Sequence, residues 1–271
     1  MKVCIAGRNR LAIDSLKYLI DTETFSKKDI VAIFSSHDLG QDDWQPSFKK
    51  YCINNKVRSI SLEDSYGIRD MLFFSLQFDI IIKPNNFITK NLFNIHFSLL
   101  PAYKGMYPAI MPILRGERYS GVTLHLIDDG IDTGPIIDQI RLPIEISDTS
   151  RDLYLKYLIN GLQLFTKNFN SLYQGNYTAT DQPNVGSSYF SKSSINFCNF
   201  KIDLNKTSFE IHNQIRAFIF KEYQLPSING CFIQRSLLTN DIIGRKRLIE
   251  SENEIILSGI DGFKIVLSKH H

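Results

Sequence analysis

Apolar positions set the first elements. Val3 to Ala6 is a short hydrophobic run ending at Gly7, and Leu11, Leu16, Leu19 and Ile20 then recur at helical spacing. That pattern predicts a strand, a tight turn and a helix. Ile30 to Phe34 has no alternation, as expected of a strand buried on both faces. Phe48 to Ile53 reads as a helix and Val57 to Leu62 as a short strand. Asp64 is placed to cap a helix running to about Leu76. Asp79 to Lys83 is a further apolar strand, stopped by Pro84. Strands alternating with helices predict a parallel sheet covered on both faces. Phe93 to Phe97 adds a strand, and Met106 to Leu114 a helix interrupted by Pro108 and Pro112. Gly121 to Leu126 alternates as a strand, which Pro135 to Pro143 can pair with. A long helix from about Arg151 to Phe169 is capped by Asp148 or Ser150.

The stretch from Gly175 to Ser188 is rich in Gly, Asn, Pro, Ser and Thr, the composition of a boundary. It divides the chain into residues 1–183 and a C-terminal region, 184–271. In that region Ser208 to Phe220 reads as a helix. Cys231–Ile233, Asp241–Ile243, Glu254–Leu257 and Phe263–Leu267 read as short strands, with a hairpin turn at Asp261-Gly262. Such strands expose edges that a second copy of the chain would cover, so a homodimer through this region is expected.

The chain has 271 residues, 43% hydrophobic and 22% charged, enough apolar surface for a core and too much for disorder. No fixed-period repeat is visible. The balance of 31 basic against 28 acidic residues, net +3, argues against a nucleic-acid partner. Cys4, Cys52, Cys198 and Cys231 lie far apart, so no zinc-ligand spacing exists and no metal is expected. Scattered thiols in apolar surroundings suit a reducing cytoplasm. No apolar run reaches the length of a membrane span, and the segment after Met1 turns polar too soon for a signal peptide. The closing Lys269-His270-His271 reads as a purification-tag stub rather than a metal site.

The densest chemistry lies in Asn94-Ile95-His96-Phe97-Ser98-Leu99-Leu100-Pro101. Residues two apart on a strand share a face, so Asn94 and His96 project together. At the carboxyl edge of a parallel sheet, that face lines the ligand crevice. An amide there can donate to a developing oxyanion, and an imidazole can take a proton near neutral pH. The same two residues would also serve as a loop cap and a turn former. Asp132, between Gly130 and Gly134, is suited either to orient His96 or simply to make a turn.

Taken together, Asn-x-His-x-Ser-Leu-Leu-Pro-x-Tyr-Lys-Gly (94–105) and Gly-Val-Thr-x-His-x-x-Asp-x-Gly-x-Asp-Thr-Gly (121–134) resemble the 10-formyltetrahydrofolate-dependent formyltransferase family. The resemblance covers at least residues 1–140, and more weakly the segment Ile211 to Arg216. It implies an α/β fold, a Rossmann-like and mainly parallel sheet, with a smaller C-terminal helix plus β-hairpin region. It implies a catalytic triad of Asn94, His96 and Asp132. An amine attacks the formyl carbon carried by folate, Asn94 and His96 stabilise the oxyanion and shuttle protons, and Asp132 holds the imidazole. The folate pocket it implies is largely backbone, formed by Ile81, Ile82 and Lys83, the loop to Phe87, and the loop of Ile127, Asp128 and Asp129. Lys83 would face the ligand or end the strand in solvent.

Three branches of that family compete for the amine. A glycinamide ribonucleotide enzyme would carry a Gly/Ser-rich phosphate loop where this chain has Gly7-Arg8-Asn9-Arg10. A methionyl-tRNA enzyme would need a basic surface. The segment from Tyr189 onward resembles the branch acting on nucleotide-linked amino sugars, and implies a dTDP-3-amino-3,6-dideoxyhexose (Qui3N or Fuc3N type) and surface glycan assembly, of the lipopolysaccharide kind. Candidate sugar-nucleotide contacts are Arg8 and Asn9, Tyr103, Lys104 and Gly105 beside the catalytic strand, and Phe190, Lys192, Arg216 and Tyr223. Aromatic rings can stack on a base and a guanidinium can fork onto a diphosphate, though Phe190, Tyr223, Arg8, Lys192 and Arg216 are each equally suited to a core or a solvated face, while Tyr103 and Lys104 are the better placed to touch the sugar. Trp44 would cover the site or pack locally. A UDP-4-amino sugar, methionyl-tRNA, or a folate- or nucleotide-binding module without turnover are the alternatives.

Overall fold

The structure is a computed structural model that describes residues 1–22 and 26–270. His271, half of the expected tag stub, lies outside the described residues. The strands are β1 (Lys2–Gly7), β2 (Ile30–Phe34), β3 (Arg58–Ser59), β4 (Met71–Leu76), β5 (Leu92–His96), β6 (Lys104–Gly105), β7 (Tyr119–Leu126), β8 (Ile136–Pro143), β9 (Tyr189–Phe190), β10 (Ser227–Ile228), β11 (Cys231–Ile242), β12 (Leu248–Glu250), β13 (Glu254–Ser258) and β14 (Phe263–Lys269). The α-helices are α1 (Asn9–Asp21), α2 (Phe48–Asn54), α3 (Leu62–Tyr66), α4 (Met111–Leu114), α5 (Ser150–Gln174) and α6 (Ser208–Ala217). By contacts the chain forms two compact units. One is Met1–Gly105, Gly121–Arg141 and Tyr157–Tyr189; the other is Met106–Ser120, Leu142–Lys156 and Phe190–His271. The second unit therefore draws on two segments that precede residue 184.

The first unit is built on a seven-stranded sheet in the order β3-β2-β1-β4-β5-β7-β8. Strands β3, β2, β1, β4 and β5 run parallel, and β7 lies antiparallel to β5. Val3 to Ala6 of β1 are fully buried, which is why that run shows no alternation. One core cluster joins Cys4, Ala6, Val31, Ile33, Met71, Phe73, Ile82, Phe87 and Leu92. Burial drives the Cys4 thiol far up from its ordinary pKa, so it is an inert core group.

The expected α/β, mainly parallel architecture holds, with three local corrections. The helix expected from Asp64 to Leu76 ends at Tyr66, and Met71 to Leu76 is the central strand β4. A strand buried on both faces has no period, and here it reads like the end of a helix. The strand expected over Asp79–Lys83 is a loop, with Ile80 and Ile81 44% and 63% exposed. Pro108 and Pro112 shorten the expected helix to a single turn, α4, with Pro112 in its first turn.

The second unit carries the antiparallel sheet β10-β11-β14-β13-β12. Its core joins Ile211, Ile215 and Ile219 to Ile233, Ile255, Leu257, Ile265 and Leu267. Helix α6 starts at a capping box, in which Thr207 accepts from the Glu210 N–H and Glu210 accepts from the Thr207 N–H. The two short strands expected near Cys231 and Asp241 are one, β11. Register shifts after Ile233 and Leu238 break its alternation, which hid its continuity. The turn from β13 to β14 is the expected hairpin, with Gly262 at φ 83°.

Candidate active site

Within the first unit, the end of β5 and the loop after β7 bring the three candidate residues together. Asn94 Nδ2 donates to Asp132 Oδ1 at 3.2 Å, and His96 Nδ1 stands 3.4 Å from Asp132 Oδ2. The antiparallel register sets Asn94 directly opposite His125, and His96 opposite Thr123. Asp132 sits at φ 55°, a left-handed conformation that Asp tolerates better than most residues. Its Oδ2 accepts the Gly105 N–H at 2.9 Å, so the loop that follows β5 is tied to the same carboxylate.

The electrostatics follow from that enclosure. Burial alone pushes the Asp132 carboxyl up, but the facing His96 imidazole above all, together with the Gly105 amide, acts the other way. The net effect holds the carboxyl well below the usual carboxylate range, so it stays charged. His96 Nε2 lies 2.8 Å from the Tyr103 carbonyl oxygen. A carbonyl only accepts, so Nε2 carries the hydrogen and is the atom able to pass a proton on.

Two residues of this cluster carry no signal of their own in the reading above. His125 sits inside the second motif, and its side chain is only 3% exposed. Gln182 lies fifty positions from Asp132 in sequence, yet its Nε2 donates to the carbonyls of Asp132 at 2.9 Å and Gly134 at 2.8 Å. Nothing in local spacing could have linked Gln182 to the loop. His125 was legible as the residue facing Asn94 once the strand register is known.

The expected folate contacts divide by side chain. Ile82 and Phe87 are 6% and 4% exposed and belong to the core cluster, whereas Ile81 and Lys83 are exposed on the loop beyond β4. That loop is linked to the Ile127–Asp129 segment by Asn85 Nδ2, which donates to Asp129 Oδ1 at 3.3 Å, and the Ile127 N–H donates to the carbonyl of Leu92, the first residue of β5, at 2.8 Å. Asp128 is turned to its own loop, accepting from the Gly130 N–H and the Thr133 hydroxyl.

The expected sugar-nucleotide contacts divide too. Arg8 and Asn9 lie half-buried at the carboxyl end of β1, and Asn9 is at φ 61°. Tyr103 is 7% exposed, and its N–H is donated to Ser188 Oγ at 2.8 Å. Lys104 is 9% exposed, and its Nζ donates to Ser187 Oγ at 3.1 Å. In the second unit Lys192 and Tyr223 are exposed, while Phe190 is buried beneath the Arg115 guanidinium, 4.9 Å from the ring centre. Arg216 departs most from expectation. It is 3% exposed, and donates to Asn213 Oδ1 and to the carbonyls of Glu145 and Asp148 at 2.7–2.9 Å. Nε and Nη1 are committed to the interior, the arrangement of a structural guanidinium.

A family model described as formyl transferase matches residues 82–167, the span holding both motifs. An N-formyltransferase from Helicobacter canadensis, crystallised with folinic acid and dTDP-3-aminofucose, is 51% identical over 100% of both chains, with a TM-score of 0.97. The chain belongs to the formyltransferase family, on its sugar N-formyltransferase branch. WlaRD, a sugar 3N-formyltransferase crystallised with dTDP and 5-N-formyl-THF, is likewise 51% identical, over 99% of this formyltransferase and 97% of WlaRD, at a TM-score of 0.97. A methionyl-tRNA formyltransferase of Coxiella burnetii is 26% identical over 80% of this chain and 72% of its own length. Among the described residues of this formyltransferase, no helix is long and apolar enough to cross a membrane.

Proposed function

We propose that this formyltransferase moves the formyl group of 10-formyltetrahydrofolate onto the amine of a nucleotide-linked amino sugar, a dTDP-3-amino-3,6-dideoxyhexose. The observation that carries the substrate is full-length identity of 51% to an enzyme crystallised with dTDP-3-aminofucose. The chemistry rests on the site itself. 10-Formyltetrahydrofolate supplies the formyl carbon and, as leaving group, the nitrogen that held it. Asn94 is placed to donate to the formyl oxygen as negative charge builds there. His96 gives its Nε2 proton to the departing nitrogen and takes back, at the same atom, the proton that leaves the attacking amine, so the proton count balances. Asp132, charged and buried, orients the imidazole and offsets its positive charge.

The residues fit a folate. The linked loops 77–91 and 127–135 offer backbone amides and carbonyls, and beside them the exposed apolar side chains of Ile81 and Ile131. A flat pterin needs hydrogen-bonding edges and apolar faces, and these loops have both. Arg8, Asn9 and Lys104 remain candidates for the nucleotide, as do Lys192 and Tyr223. In this reading residues 1–183 form the catalytic domain, and 184–271 bind substrate and make a homodimer. Support for the dimer is the edge strand β12, where Leu248 and Ile249 are 40% and 59% exposed. A cytoplasmic place and a role in surface glycan assembly follow from a nucleotide-sugar substrate.

Mass spectrometry of a panel of dTDP- and UDP-linked amino sugars, incubated with the enzyme and 10-formyltetrahydrofolate, tests the reading. A single formyl gain on a dTDP-3-amino sugar is expected. Formylation of a UDP-4-amino sugar or of methionyl-tRNA alone overturns it. Sedimentation at micromolar concentration tests the dimer, and a monomer refutes that part.

A further inference from the structure

Both hydrogens of the Asn94 amide are spent within the protein. One goes to Asp132 Oδ1 at 3.2 Å, and the other pairs with His125 Nε2 at 3.0 Å. The carboxylate fixes this orientation, because a reversed amide would set its oxygen against Asp132. The tautomer of His125 is fixed from its other side. Its Nδ1 lies 2.7 Å from the Leu126 carbonyl, which only accepts, so Nδ1 bears the hydrogen and Nε2 offers its lone pair to Asn94. His125 itself is locked, since it faces Asn94 across the β5–β7 ladder and its side chain is 3% exposed.

An amide so held has no hydrogen left for a substrate. To donate to a formyl oxygen, Asn94 must release one of its two bonds. Hydrogen bonds to a carboxylate are roughly twice as strong as those to an uncharged acceptor, so the bond to the imidazole nitrogen is the one to yield. We propose that His125 is a positioning residue for formyl transfer. It holds the Asn94 N–H aimed and satisfied in the resting enzyme, and surrenders it to the formyl oxygen as charge develops. The strand register makes this possible, because the imidazole reaches the amide without any loop having to order.

This role rests on the transfer reading above, but the hydrogen bond beneath it does not, and two measurements separate them. In nitrogen-15 NMR of the histidine-labelled protein, His125 is expected as the tautomer protonated at Nδ1 and bare at Nε2. A proton on Nε2 overturns the proposal whatever the enzyme formylates. In steady-state kinetics, His125→Gln places a carbonyl oxygen near the Nε2 position and is expected to keep most of kcat. His125→Leu fills the volume without an acceptor. By analogy with loss of a residue that orients a reacting group, it should lower kcat on the order of 10–100-fold with both KM values within about twofold. His125→Asn, too short to reach, should resemble Leu and decides the matter if Leu fails to fold. Equal losses in Gln and Asn, or a change confined to KM, would remove the role. Absence of transfer by the wild type would instead sink the reading of function, and this role with it.

Discussion

His96 Nε2 meets the Tyr103 carbonyl at 2.8 Å while its Nδ1 faces Asp132 at 3.4 Å, so both imidazole nitrogens are aimed by groups from two different loops. The ring can rotate toward neither without losing the other. Removing a preorganised donor or its partner should therefore act on turnover more than on binding. Asn94→Ala and His96→Ala are expected to lower kcat on the order of a hundredfold or more, the size of losing one oxyanion donor at about 2.7–4 kcal/mol. Asp132→Asn should do the same, because it replaces a charged acceptor between His96 and the Gly105 amide with a neutral one. Steady-state rates on folded, purified variants check all three, and near-normal turnover in any of them excludes that residue from the chemistry.

Arg216 separates a structural from a binding role. Its guanidinium holds the Glu145 and Asp148 carbonyls, and burial lowers its pKa to about 10. Arg216→Met leaves those carbonyls unpaired, at about 1–3 kcal/mol for each buried group. The unfolding midpoint should fall by several degrees, while KM for the nucleotide sugar of the folded variant stays near the wild-type value. A tenfold rise in KM at unchanged stability would instead return Arg216 to the diphosphate.

His212 gives the second unit a pH dependence. Its Nδ1 pairs with Ser236 Oγ at 2.7 Å and its Nε2 with the Ile146 carbonyl at 2.8 Å. Burial lowers its pKa to about 4, and the nearby Arg216 charge acts the same way. The unfolded chain takes up a proton near pH 6.5 and the native one only near 4, so the unfolded state binds more protons between them. Stability is whole above about pH 6.5 and falls as pH drops toward 4, by about 3 kcal/mol in total. Denaturant melts at pH 7 and pH 4.5 should show this loss, and His212→Gln should flatten the slope. An unchanged slope in the variant would place the acid sensitivity elsewhere.

The clustering of Asn94, His96 and Asp132 was legible because the two motifs are local: Asn94 and His96 share a strand face, and Asp132 sits in a glycine-bounded loop. The architecture was legible where strands were separated by clear turns, as at Gly7. What failed was long-range or aperiodic. The central strand Met71–Leu76 has no alternation, and no spacing along the chain links Gln182 to the Asp132 loop. Arg216 looked like a ligand cation because a charge on an amphipathic helix has two destinations, and only packing shows that its carbonyl partners come from residues 145 and 148.

Gly134 tests how tightly the loop position governs the reaction. A Cβ there would fall 1.9 Å from the Leu126 carbonyl oxygen and 2.8 Å from its carbon, far inside van der Waals contact. The obstacle is backbone of the strand that also carries His125, so it cannot turn aside as a side chain would. Gly134→Ala must therefore push the loop outward, and Asp132, two residues back, moves with it. The Gln182 bonds to the Asp132 and Gly134 carbonyls stretch in the same motion. Misplacing a catalytic group by about 1 Å can cost on the order of a hundredfold in rate. We expect Gly134→Ala to lower kcat by about that factor while the second unit, which contains neither residue, keeps its His212-linked acid transition. Kinetics and acid melts on the same preparation read both outcomes, and a variant with wild-type kcat would show that the Asp132 loop tolerates displacement.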